Sequence, residues 1–285
     1  MTDATELPPL EERWLSWHGA RLRYYVGGAG SGSVPTLVLV HGLGGAASNW
    51  CELVPLLAPR FRLLVPDLPG HGGSSPLPSA PTLSSFAEAV FRVAESEGLL
   101  PAAVVGHSLG GLVALRLALR RPQAVRALVL AAAAGISSAS RIRETLVTLV
   151  VLTRPARVVA PHRRLIARLG WLRYPVLGYW EVSDPSALSP RAVEGFLAGP
   201  AIHTDIADAG RALVAADPRL ELDRVRCPTL VLWGARDHMV PLEDGIDYAR
   251  RLRASLRVIP DCGHLLIGER PDACAEAITG FCGRT

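Results

Sequence analysis

Short apolar runs, each closed by a cluster of glycine or proline, alternate along the chain with longer stretches of helical spacing. The apolar runs are Thr36 to Val40, Phe61 to Val65, Ala102 to Val105, Val125 to Leu130, Thr229 to Trp233 and Leu256 to Ile259. The first three of these predict strands covered on both faces, as in a parallel sheet, and the other three predict further strands. Helical spacing marks Thr82 to Gly98, the row Leu112, Leu115 and Leu119 that Pro122 stops, Leu242 to Arg253, and a last segment from about Pro271. Thr82 or Ser84 is suited to cap the first of these, and Pro271 to open the last. A further helix is expected near Ser48. Ahead of all this, Trp14 to His18 and Arg21 to Val26 flank Gly19 as an antiparallel hairpin. Strand and helix in alternation predict an α/β fold with a mostly parallel, doubly wound sheet.

The rhythm breaks once. From Ser137 to about Asp217 no convincing buried strand occurs, only helical patches punctuated by Pro155, Pro161, Pro175, Pro185, Pro190 and Pro200. This predicts a helical insertion at 137–217 that divides the core into 1–136 and 218–285.

The chemistry is expected where one buried strand meets a helix, at Gly106-His107-Ser108-Leu109-Gly110. A serine on so sharp a turn needs nearly side-chain-free neighbours two residues before and after it, so that strand and helix can approach. Its hydroxyl then faces the positive end of the following helix. A serine hydroxyl is a poor nucleophile near neutral pH and needs an adjacent base, held in one tautomer by an acid. Both partners are expected at carboxyl ends of later strands, where a parallel sheet converges on one crevice. Asp237 follows the strand ending at Trp233, and His264 follows the next strand. Asp261, three residues before His264, is the rival acid, at local turn spacing. His107 is expected to pack below the turn, His41 to brace a glycine-rich loop, and Asp67 to cap local amides. His71 and His238 are loop histidines without a predicted ligand role.

Five segments in order give the chain its resemblance: His41-Gly42-Leu43-Gly44, Asp67-Leu68-Pro69-Gly70-His71-Gly72, Gly106-His107-Ser108-Leu109-Gly110-Gly111, Gly234-Ala235-Arg236-Asp237 and Gly263-His264. Over nearly its whole length the chain resembles the α/β-hydrolase superfamily. The resemblance implies Ser108 as nucleophile, His264 as base, Asp237 as orienting acid, and an oxyanion hole from the backbone N–H groups of Leu43 and Leu109. It also makes the insertion a cap over the crevice. Serine at the nucleophile position argues against the haloalkane dehalogenases and epoxide hydrolases of this fold, which use a carboxylate. No Gly-x-Gly-x-x-Gly follows the first strand, so no nucleotide cofactor is expected, and no metal either.

Composition changes the picture mainly at the insertion. Net charge is +4 and lysine is absent, so every basic charge outside histidine is arginine, which by itself is no argument for nucleic acid. Between Ser137 and Trp180 stand eight arginines and a single acid, Glu144, among many large apolar residues. Such a lid favours an apolar acyl or aromatic substrate and excludes water; contact with an anionic lipid interface is the minor expectation. Trp50, Trp171, Tyr179, Trp180 and His203 are candidates for lining the acyl pocket. The 5 cysteines follow no metal-ligand spacing. No apolar run reaches the roughly 20 residues of a membrane helix, and a polar, acidic start lacks a signal pattern, so a cytoplasmic location without stable membrane insertion is expected.

Hydrolysis of small-to-medium carboxylic esters of apolar acyl or aromatic groups is therefore the leading expectation. Carbon–carbon bond hydrolysis of a ring-cleavage dienoate by the same residues is the alternative, and a ligand-binding receptor on the same scaffold is a third. Oligomeric state is not predicted.

Overall fold

The structure is a computed structural model describing residues 6–30, 34–136, 158–178, 180–202 and 206–284. Its centre is an eight-stranded sheet in the order β1-β2-β4-β3-β5-β6-β7-β8. The strands are β1 (Glu11–Trp17), β2 (Ala20–Gly28), β3 (Thr36–Val40), β4 (Arg62–Pro66), β5 (Ala102–His107), β6 (Val125–Ala131), β7 (Thr229–Gly234) and β8 (Ser255–Ile259). β1 and β2 pair antiparallel, as do β2 and β4, and every later pairing is parallel. Leu37–Val40 and all of β5 and β7 are buried, in keeping with their unbroken apolar sequences.

Helices cover the sheet: α1 (Leu53–Leu57), α2 (Leu83–Ser96), α3 (Leu109–Arg120), α4 (Arg163–Arg168), α5 (Gly170–Leu177), α6 (Pro190–Ile202), α7 (Ile206–Val214), α8 (Leu242–Leu252), α9 (Leu266–Glu269) and α10 (Pro271–Cys282). Thr82 caps α2, its hydroxyl accepting from Ser85 N–H at 3.1 Å while Ser85 Oγ accepts from Thr82 N–H at 2.8 Å. This reciprocal pair satisfies two amides that the helix leaves open.

After β3 the chain passes outward to β4 and then returns to the other side of β3 as β5. At such a switch the connections leave in opposite directions and open a crevice at the strands' carboxyl ends. The loop after β3 and the turn after β5 are therefore neighbours.

Between β6 and β7 the described residues form helices and short helical turns, as expected of the insertion. They build a second apolar cluster of Ile166, Ala167, Leu177, Val182, Leu188, Ala192, Val193 and Leu197, closed by Leu265 from the loop after β8. Arg173 lies buried among them, donating to the carbonyls of Leu188 at 2.7 Å and Ala167 at 2.5 Å. The guanidinium thus joins three turns of chain through backbone oxygens, with its carbon stem packed.

Two differences from the expected elements have local causes. β1 begins three residues before the expected Trp14 and is largely exposed, because an edge strand has one neighbour and needs no apolar face. The helix expected near Ser48 is split into a single 3-10 turn, Ala47–Trp50, and the short α1.

Candidate active site

The turn between β5 and α3 positions Ser108. Its backbone sits at φ 54° and ψ −119°, a left-handed conformation that is strained for any residue with a side chain. The surroundings over-determine it. Ser108 N–H donates to Ala131 O at 3.0 Å, and Ser108 O accepts from Gly111 N–H at 3.0 Å and Ala134 N–H at 3.2 Å. The flanking glycines are required by close approach. A Cβ at Gly106 would strike the Gly110 carbonyl, and one at Gly110 would strike the Val40 carbonyl.

Ser108 Oγ lies 3.1 Å from His264 Nε2, and His264 Nδ1 lies 2.8 Å from Asp237 Oδ2. The acid is held in turn: Asp237 Oδ1 accepts from Met239 N–H at 3.0 Å and Val240 N–H at 2.8 Å. Both His264 and Asp237 are buried while Ser108 keeps some exposure. Burial opposes the imidazolium, but the charge and hydrogen bond of Asp237, with Glu181 adding, outweigh it and raise His264 above its usual range. An ionised carboxylate accepts only, so Nδ1 carries the proton and Nε2 faces the serine hydroxyl as an acceptor. The rival Asp261 instead pairs with Arg236 at 2.6 Å on the surface.

Leu109 and the loop of Gly42 and Leu43 adjoin Ser108. Leu109 is the first residue of α3, directly after Ser108. Leu43 follows Gly42, where a Cβ would lie 3.1 Å from Ser108 Cβ. The loop carrying Leu43 is fixed from two sides. His41 Nε2 accepts from Leu68 N–H at 3.0 Å, which leaves the proton on Nδ1, 2.8 Å from Gly42 O. Burial depresses this imidazole to about 4, so it stays neutral as a brace. Asp67 accepts from Ala47 N–H at 2.6 Å, Gly73 N–H at 2.8 Å and Arg23 Nε at 2.7 Å, tying both loops to β2. From above, the Gly195 carbonyl of α6 accepts from Ser48 Oγ at 2.8 Å and Asn49 Nδ2 at 3.2 Å. Gly195 and Gly199 let this helix rest on the backbone of the loop, where a Cβ would come within 2.6 Å of Ser48 O and 2.8 Å of Gly44 O.

Three supporting groups escaped the sequence reading in whole or part. His107 was expected only to pack, yet its Nε2 lies 2.9 Å from His264 O and braces the loop that carries the imidazole. Burial first, then the neighbouring His264, depresses His107 to about 3 and keeps it neutral. Glu181, partly buried, accepts from Leu265 N–H at 2.9 Å through its carbonyl. Burial, then the charge of Asp237, pushes its carboxyl up, while His264 opposes.

Glu269 is buried at the start of the α9–α10 corner and accepts from Gly263 N–H at 2.7 Å, and from Ser183 and Asp184 N–H at 3.0 Å each. Nothing in the local sequence before Arg270-Pro271 sets it apart, so only the fold reveals it. Glu269→Ala leaves three amides without their acceptor and is expected to cost about 3 kcal/mol. In a chain of this size that lowers the melting temperature by roughly 5 °C by calorimetry, with Glu269→Gln recovering part of it.

Three of the five pocket candidates fall among the described residues. Trp50 is wholly buried in the main core, where its ring packs and offers no surface to a ligand. Trp171 and Trp180 stand exposed to solvent. Tyr179 and His203 lie outside the described residues, as do 137–157 with four of the eight arginines. Among the described residues, no group of three or more His, Cys, Asp or Glu is placed to hold a metal ion, and no helix is long and apolar enough to cross a membrane. All 5 cysteines are unbonded to one another.

A sequence profile of the alpha/beta hydrolase fold matches residues 35–271. The chain is 33% identical over 266 residues to a pimeloyl-acyl-carrier-protein methyl ester esterase of Aromatoleum aromaticum, covering 86% of this chain and 96% of that protein. It is 30% identical over 272 residues to the magnesium-chelatase 30 kDa subunit of Rhodobacter capsulatus, covering 90% and 89%. A solved structure of a hydrolase from Pseudomonas aeruginosa PA01 aligns with a TM-score of 0.71 at 28% identity, over 98% of this chain and 100% of that one. Strand order, the turn after β5 and a profile match running from β3 to the start of α10 agree, and the chain belongs to the alpha/beta hydrolase family.

Proposed function

We propose that the protein is a serine hydrolase that cleaves carboxylic esters of apolar acyl or aromatic groups through an acyl-enzyme. The observation that carries this reading is the relay of 3.1 Å and 2.8 Å from Ser108 through His264 to Asp237. In it, His264 takes the hydroxyl proton as Ser108 attacks the ester carbonyl, and then protonates the departing alcohol. Asp237 holds the imidazole in its tautomer and stabilises the imidazolium. The N–H groups of Leu43 and Leu109 receive the oxyanion: Leu109 opens the helix directly after Ser108, and Leu43 follows Gly42, whose backbone approaches the Ser108 side chain. Water activated by His264 then releases the acid. Residues 137–217 act as the cap, and the apolar cluster around Leu265 supports an apolar substrate side. Similarity to a protein named a methyl ester esterase supports an ester bond as the target.

The test is a panel of chromogenic esters of rising acyl length, with a vinylogous diketone beside them. A burst of alcohol equal to the enzyme concentration, followed by slower turnover and strongest on apolar acyl groups, is the expected result. Cleavage of the diketone alone would replace the ester reading with carbon–carbon hydrolysis. Tight binding without turnover of any compound would sink both.

A further inference from the structure

We propose that the outer face of α4 and α5, together with Trp180, docks on an anionic lipid surface. These two helices bury one side and leave the other open. Ile166, Ala167 and Leu177 turn into the cluster that Leu265 closes, with Leu172 and Val176 against it. Arg164, Leu165, Arg168, Leu169, Trp171 and Tyr174 are exposed. Trp171 is 69% exposed, Trp180 62% and Tyr174 56%. Single exposed apolar residues are ordinary on any surface, but a run of large ones along two consecutive helices marks a site of contact.

Charge selects the partner. From Val158 to Trp180 the sequence holds no aspartate or glutamate. Arg173 is buried and spent on carbonyls, which leaves the exposed Arg164 and Arg168 and the half-buried Arg163, whose Nη1 also donates to Ala160 O at 3.4 Å. Among the described residues none of these three forms an ion pair with a carboxylate. Tryptophan and tyrosine favour the headgroup level of a bilayer, and arginines beside them are drawn to anionic headgroups. A second copy of the same face would set these cations against their own kind, which disfavours a two-fold dimer through it. Leu165 and Leu169 would gain nothing from a nucleic-acid phosphate backbone, whereas the acyl boundary accepts them.

This inference does not rest on the esterase reading, and Ser108→Ala protein is used so that lipid hydrolysis cannot disturb the measurement. Flotation with phosphatidylcholine vesicles, with and without phosphatidylglycerol, reads the partition, and tryptophan emission reads insertion. Preferential binding to the anionic vesicles is expected, with a blue shift and loss of binding at high salt. Each arginine contributes about a fivefold gain, from about 1 kcal/mol per cation near the surface. Arg163→Gln, Arg164→Gln and Arg168→Gln together therefore weaken partition by roughly 100-fold. Trp171→Ser with Trp180→Ser removes the blue shift, and far-UV circular dichroism verifies that both variants are folded. Absent or charge-indifferent partition of the folded parent overturns the proposal. So does a dimer in sedimentation velocity that either variant disrupts, or salt-sensitive binding to duplex DNA in place of the vesicles.

Discussion

Ser108→Ala is expected to lower kcat on the best chromogenic ester by roughly 10⁵- to 10⁶-fold and to abolish the burst. The substitution removes the oxygen that His264 Nε2 faces at 3.1 Å and nothing else. Alanine meets the same strain as serine at φ 54°, and the backbone bonds to Ala131, Gly111 and Ala134 do not involve the side chain. The melting temperature should therefore hold within a degree or two, and KM within a few-fold. Activity of the pure variant above one hundredth of the parent's would place the nucleophile elsewhere.

Asp237→Asn is expected to lower kcat by about 10⁴-fold. The amide oxygen can still accept from Met239 and Val240, so its NH₂ group is turned toward His264 Nδ1. That favours the tautomer with its proton on Nε2, which cannot accept from the serine. A second signature follows from charge. In the parent, burial opposes the imidazolium, but Asp237 and Glu181 raise His264 above its usual range. Because the base must be neutral to act, kcat/KM should fall as pH drops through that raised value. Removing the Asp237 charge leaves burial as the largest influence, and the acid limb of the residual activity should move to lower pH. Asp261→Asn, acting on the Arg236 surface pair, should leave rate and profile unchanged. The reverse pattern would exchange the two acids.

Much of this arrangement was legible before any coordinate. Buried strands announce themselves by unbroken apolar runs, and the glycines at 106 and 110 mark where strand and helix must almost touch. The order of Ser108, Asp237 and His264 along the chain placed them on strand ends that a parallel sheet brings together. What stayed hidden was whatever depends on contact across the fold. Glu269 looks like a surface acid, because nothing local shows that the amides of Gly263, Ser183 and Asp184 converge on it. Trp50 looked like a pocket wall because aromatic bulk is common to pockets and cores, and the fold put it in the core. The exposed Trp171 and Trp180 invert the same inference, since an apolar residue inside an insertion need not face the crevice.

Glu269 also sets the order in which the molecule should fail on heating. Its carboxylate holds the chain at Ser183–Asp184 and the His264 loop at Gly263 to one anchor, while the sheet is knit by its own ladder. Warmth that shakes the Ser183–Asp184 segment loose therefore slackens the imidazole with it. Catalytic power should fade at temperatures where the far-UV signature of the sheet is still whole, and cooling should restore it.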